Sequence, residues 1–378
     1  MKFLIEKNDL STLTTMVYRA AANRPTIPVL SGLFIQASAE DGLTMTATDM
    51  EIGIKASSKQ AEIINPGQVL VNANYFSDFI KLLPDTTITV EYIQETAKLQ
   101  ISYGRSCGNI NSYSEFEYPG LPEHELEPRF TMPQSVLKEA LRKTVFAAAP
   151  GHYRQIFTGV LFDFLEDSVC IVASDTHRLA YFTYTLDTEK IEPNRFVIPV
   201  RTVNELLRFL EDNDEPIYIS VAKNNVVFYT DQFLLLSRLI DGQYPNYQSV
   251  IPANLNTSLT LKTQSLTNSL ERARVLPTDD KHEIQHVRFN ITPDEILLNS
   301  HSDMMGEITE VIENISIEGE TDVKVAFNTN YFLDVMKIFD QECEEVTVQL
   351  SGSLGPAIVK NPEKDHYLYV LVPLRTSY

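Results

Sequence analysis

Residues 74–85 read NYFSDFIKLLPD, and residues 330–341 read NYFLDVMKIFDQ. A third, more diverged copy, RTVNELLRFLED, occupies 201–212. Self-similarity at one long period restricts a chain to an array of one domain-sized unit. Three further segments keep the same period. FLIEKNDLSTL near residue 3 corresponds to FTMPQSVLKEAL near 130 and LTLKTQSLTNSL near 259. MTATD, IVASD and NSHSD end at Asp49, Asp175 and Asp303, and Pro119, Pro245 and Pro373 recur in step.

Each copy of the first segment sets apolar residues at i, i+3, i+4 and i+7, one face of an amphipathic helix. These are Phe76, Phe79, Ile80, Leu83; Val203, Leu206, Leu207, Leu210; and Phe332, Val335, Met336, Phe339. Each lies between strand-like runs: QVLVNA and TITVEYI, RFVIPV and PIYISVA, VKVAFN and EVTVQLS. The other repeated segment reads as strand, polar start signal and helix. The order helix, strands, helix, strands predicts two helices packed on antiparallel sheet, an α+β unit used three times in tandem. Polar and Pro-containing stretches at 125–130 and 252–258 set domains of 1–127, 128–254 and 255–378.

The chemistry of a typical enzyme is absent. Ser174, Asp175 and His177 sit together, but residues 174 and 177 on a strand end point to different faces, and Asp49 and Asp303 lack a following His. His282 and His286 have i, i+4 spacing without an ordered carboxylate nearby. Neither glycine-rich phosphate motif appears, and the three cysteines are far apart. No catalytic residue, metal or cofactor is expected. The N-terminus has no apolar signal region and no window approaches a membrane span, so a cytoplasmic protein is expected.

With 31 basic against 51 acidic residues, the net charge is −20, which repels nucleic acid at long range. One helix position nevertheless stays basic: Lys81, Arg208 and Lys337, each three residues after an acid (Asp78, Glu205, Asp334). The other helices add Lys138, Arg142, Lys143, Arg272 and Arg274. Helices that all face one way would gather these cations on one surface.

The chain resembles the beta subunit of bacterial DNA polymerase III, the sliding-clamp family, over its whole length. The resemblance rests on NRPTIPVLSGL (23–33), SDTHRLA (174–180), RLIDGQYPNY (238–247), LVPLR (371–375) and the threefold repeat. It implies tandem DNA-clamp domains and a head-to-tail homodimer closed into a ring, with helices lining the hole and sheets outside. Such a ring encircles duplex DNA without reading its sequence, which reconciles the acidic charge with DNA. It is not an enzyme, and tethers the polymerase for processive synthesis.

By resemblance, a cleft receives short peptides from the polymerase alpha-type subunit, the clamp loader and repair proteins. Its wall would comprise Phe157, Ser174, Thr176, His177, Arg178, Leu179, Pro245, Val250, Ile284, Pro356, Val372, Pro373, Leu374 and Arg375, with His177 and Arg178 as polar contacts at the rim. Thr176 stands where a glycine is common, and Ser249 where some relatives are basic. Arg24, Lys81, Lys138, Arg142, Arg154, Arg208 and Lys337 would face DNA. Val275 and Leu276 would meet Ile110 at the dimer seam, where Gly108 replaces a bulky residue and implies a looser ring. Two other readings compete: a repeat scaffold that binds peptides without encircling DNA, which needs no dimer, and a hydrolase with a carboxylate pair, which would turn over substrate.

Overall fold

The structure, a computed structural model, describes residues 1–113, 117–121, 126–151, 153–187, 190–276, 285–313 and 315–375. Its α-helices are α1 (Lys7–Val17), α2 (Ala73–Lys81), α3 (Gln134–Thr144), α4 (Val200–Phe209), α5 (Thr263–Ala273) and α6 (Thr329–Phe339), two for each repeat.

Each NYF helix is capped by an asparagine two residues before the repeated stretch. Asn72 accepts from the Tyr75 amide at 2.9 Å, and Asn328 accepts from Asn330 and Tyr331 at 2.9 and 3.2 Å. The predicted apolar stripes are inside. Phe76, Ile80 and Leu83 are buried, as are Val203, Leu206 and Leu210, and all four residues of the third stripe. Phe79 and Leu207 lie at the stripe edges and are half-buried. The strand-like runs form Gly67–Asn72, Asn194–Pro199 and Val323–Asn328 before the helices, and Thr87–Ile93, Pro216–Val221 and Glu345–Leu350 after them.

The chain divides into two compact units, one of residues 1–138 with 204–239, the other of 139–203 with the chain from 240 onward. A threefold repeat yields two units because each unit's larger sheet crosses a repeat boundary. In the first unit, Ile52–Ser58 of the first repeat pairs antiparallel with Phe233–Arg238 of the second, Ile54 opposite Leu235. This makes an eight-stranded sheet; a five-stranded sheet ending at Ser106–Asn111 completes the unit. In the second unit, Arg178–Thr185 pairs with Tyr367–Leu371, Ala180 opposite Tyr369, giving a nine-stranded sheet. Its other sheet has four strands and ends at Gly306–Ile312.

The joining strands begin at 52 and 178, and their counterpart in the third repeat is Gly306–Ile312. That strand lies at a sheet edge, as does Ser106–Asn111, the last strand of the first repeat. Among the described residues, the two strands that would make a third junction are therefore both unpaired on one side.

Candidate functional site

Strands Ser168–Ser174 and Arg178–Thr185 are joined by a tight turn of three residues, Asp175 to His177. Ser174 Oγ donates to the Arg178 carbonyl at 2.7 Å and accepts from the Thr176 amide at 3.2 Å. Asp175 Oδ1 accepts from the amides of His177 and Arg178 at 3.0 and 3.1 Å. The Ser174 hydroxyl is thus committed to the backbone, which is a turn's use of Ser and Asp rather than a nucleophile's.

The first repeat builds the same turn bond for bond. Thr48 Oγ1 donates to the Ile52 carbonyl at 2.9 Å and accepts from the Met50 amide at 3.1 Å. Asp49 Oδ1 accepts from the amides of Glu51 and Ile52 at 3.0 and 2.9 Å. Met50 and Thr176, the matching residues, have φ of 76° and 80°. A β-branched residue is strained there, and glycine is not. This explains why glycine suits the position that Thr176 occupies. Thr176→Gly is expected to stabilise the fold by roughly 0.5–1 kcal/mol after the entropy of glycine is counted, measured by chemical denaturation.

The C-terminal segment closes one side of the turn. The Val372 amide donates to the His177 carbonyl at 2.9 Å, and the Leu374 amide to the Ala326 carbonyl at 2.8 Å. Beneath lies a buried cluster that includes Phe157, Val172, Leu179, Tyr244, Tyr247, Ile358 and Val370. Tyr247 leads into the short helix Tyr247–Val250, and its hydroxyl donates to the buried Asp163 at 2.8 Å, which anchors that loop to the sheet. Phe157 and Leu179 are buried within it. Val250 and Val372 are 41% and 37% exposed. Thr176, His177, Pro245 and Arg375 are exposed, whereas Pro356, Pro373 and Leu374 are half-buried. Ile284 and His282 lie outside the described residues.

Arg178 is not at the rim. It is buried, and its guanidinium is spent internally: Nε on Asp175 at 3.0 Å, Nη1 on Asp334 at 2.8 Å and Nη2 on the Phe146 carbonyl at 2.8 Å. Its Cζ stands 4.2 Å from the centre of the Tyr331 ring. Burial opposes its charge, but Tyr369, Asp334 and Asp175 more than offset this, and its pKa is held above the ordinary value. The sequence gives no sign of this, because Asp334, on α6, is 156 positions away.

The repeated cations take the partners that helical spacing suggests. Lys81 meets Asp78 at 3.9 Å, Arg208 meets Glu205 at 3.4 Å and Lys337 meets Asp334 at 3.2 Å. Lys138 bonds Asp212 at 2.7 Å, and Arg142 donates to Gln341 at 3.2 Å. Arg24 is exposed at φ 57°, and Arg154 is exposed with its Cζ 5.6 Å from the centre of the Tyr153 ring. Lys143 departs from expectation. It is 3% exposed, bonded to Glu139 and Glu342 at 2.6 and 2.8 Å, so it cannot join a cationic surface.

At the expected seam, Val275 is 75% exposed and Leu276 half-buried after α5. Ile110 corrects the sequence reading. It is 5% exposed and points, like Gly108 two residues before it, to the protein's own interior, as strand alternation requires. A Cβ on Gly108 would come within 2.6 Å of the Phe79 ring, so an aromatic from α2 already fills that space.

The three repeats match the N-terminal, central and C-terminal domains of the DNA polymerase III beta subunit over residues 1–127, 131–246 and 248–375. The beta sliding clamp of Bacillus subtilis is 32% identical over the full length of both chains. That of Escherichia coli is 27% identical over 99% of this chain and 100% of its own. The crystal structure of the Bacillus subtilis sliding clamp superposes with a TM-score of 0.91 at 30% identity, covering both chains completely. The chain belongs to the DNA polymerase III beta subunit family, the bacterial sliding clamps.

Proposed function

We propose that two copies of this chain close head to tail into a ring that encircles duplex DNA and tethers the replicative polymerase for processive synthesis. It is a processivity factor, not an enzyme. One observation carries the ring. The junction in the second unit joins four strands of one repeat to five of the next, through strands Arg178–Thr185 and Tyr367–Leu371. The four-stranded sheet ending at Gly306–Ile312 and the five-stranded sheet ending at Ser106–Asn111 are the same two halves, left unjoined. An open strand edge is a template for pairing with another chain. A second protomer supplies each missing half, and two such head-to-tail contacts close the assembly. Val275 and Leu276 then belong to the seam, while Ile110 supports it from inside. Light scattering on the native protein at micromolar concentration should give the mass of a dimer; a monomer would overturn the closed ring.

The reading extends to partners and place. The domains are read as 1–127, 128–254 and 255–378. Arg24, Lys81, Lys138, Arg142, Arg154, Arg208 and Lys337 are proposed to meet DNA phosphates, weakly enough to slide. The apolar surface around Leu179, Pro245, Val250, Val372 and Leu374 suits the hydrophobic anchors of short peptides from the polymerase alpha-type subunit, the clamp loader and repair proteins. Among the described residues no helix is long and apolar enough to cross a membrane. A replication role puts the protein with the chromosome, in the bacterial cytoplasm.

A further inference from the structure

The three acid–base pairs on α2, α4 and α6 repeat in sequence but not in use. Asp78 is exposed and meets Lys81 at 3.9 Å. Glu205 meets Arg208 at 3.4 Å and Arg19, on the short turn after α1, at 4.0 Å. Asp334 divides its two oxygens between unlike partners. Oδ1 accepts from the exposed Lys337 at 3.2 Å, and Oδ2 accepts from the buried Arg178 at 2.8 Å.

The turns differ in the same way. The first repeat holds its turn with the same four hydrogen bonds, but the buried Ile52 stands where the second has Arg178. An apolar residue at that position is sufficient to build the turn. The arginine therefore does something beyond closing it. Its Nε donates to Asp175 Oδ2 at 3.0 Å, while Asp175 Oδ1 holds the amides of His177 and Arg178. Tyr331, one helical turn before Asp334, stacks on the Arg178 guanidinium and faces the His177 ring at 6.5 Å between centres. A planar guanidinium gripped by two carboxylates, a carbonyl and a ring has one orientation, which a neutral partner would not impose so firmly.

We propose that Asp334 is the positioning residue of the peptide cleft: through Arg178 and Asp175 it locks the 175–178 turn, and so the exposed His177 edge, to α6. This rests on the peptide-cleft reading above and deepens it. Because its other oxygen holds Lys337, the same carboxylate ties the cleft to a residue proposed to meet DNA.

The test uses the full-length protein. A fluorescein-labelled hexapeptide with Leu and Phe anchors is titrated by fluorescence polarisation into wild type, Asp334→Asn and Asp334→Glu. Amide hydrogen exchange of residues 175–178 is followed in each. Asp334→Asn should weaken the peptide by about tenfold, the scale of one charge-assisted hydrogen bond, and speed exchange at His177 and Arg178 by a similar factor. Asp334→Glu, which keeps the charge, should recover affinity to within about threefold of wild type. A purely helical role for Asp334 would leave exchange at 177 and 178 unchanged. Asp334→Asn within twofold of wild type, with unchanged exchange, overturns the proposal. Should the wild type itself fail to bind, the cleft reading falls, while the exchange comparison still decides whether the tether exists.

Discussion

Deleting residues from Val372 onward is expected to abolish binding of a clamp-binding peptide while leaving the proposed dimer intact. The strand Tyr367–Leu371 stays paired on both sides, with Arg178–Thr185 and with Ala357–Lys360, so the nine-stranded sheet keeps its register. What is lost is the segment whose amides bond His177 and Ala326, together with the partly exposed apolar side chains of Val372 and Leu374. Anchors in such sites are worth roughly 2 kcal/mol or more each, so affinity should fall by about 30-fold at least. Chain ends are tolerated when little core depends on them, and the folded dimer should persist. A fluorescence-polarisation titration on a truncation of verified dimer mass checks this. Unchanged affinity would mean the cleft is elsewhere.

Leu276→Asp is expected to convert the proposed dimer to monomer. Val275 and Leu276 follow Arg274, the C-cap of α5, and the Gln285 side chain holds the Leu276 carbonyl at 2.8 Å, which keeps this end of the helix in place. A carboxylate buried at the seam without a partner costs several kcal/mol, enough to raise the dimer dissociation constant by about a hundredfold or more. Sedimentation equilibrium at micromolar concentration should report monomer. A variant that remains dimeric would remove Leu276 from the seam.

Much of this was legible in the sequence because it is local. Helix faces follow from a period of 3.6 residues, and their buried stripes came out as read, with Phe79 and Leu207 at the margins. The turn at 174–178 was visible as an aspartate repeated at 49 and 175, and its φ of 80° at Thr176 accounts for the glycine expected there. Two of the misreadings concern residues whose direction is set by a distant partner. Arg178 looks like a surface cation until Asp334 is brought beside it, and Lys143 until Glu342 is. Ile110 looks free until strand alternation turns it inward. Sheet fusion across the repeats was also hidden, since antiparallel pairing between strands so far apart leaves no local mark. Only the spacing of 52, 178 and 306 carried it, and only once two of the three strands were seen paired.

The proposed ring holds DNA by enclosure rather than by affinity. This is tested by loading the protein with a clamp loader onto a nicked circular plasmid, isolating the complex by gel filtration, and cutting the circle once with a restriction enzyme. Retention on the circle through a wash at high salt and prompt loss from the linear form are expected, because open ends let a closed ring slide off and phosphate contacts alone are weakened by salt. Retention on the linear DNA equal to that on the circle would contradict it.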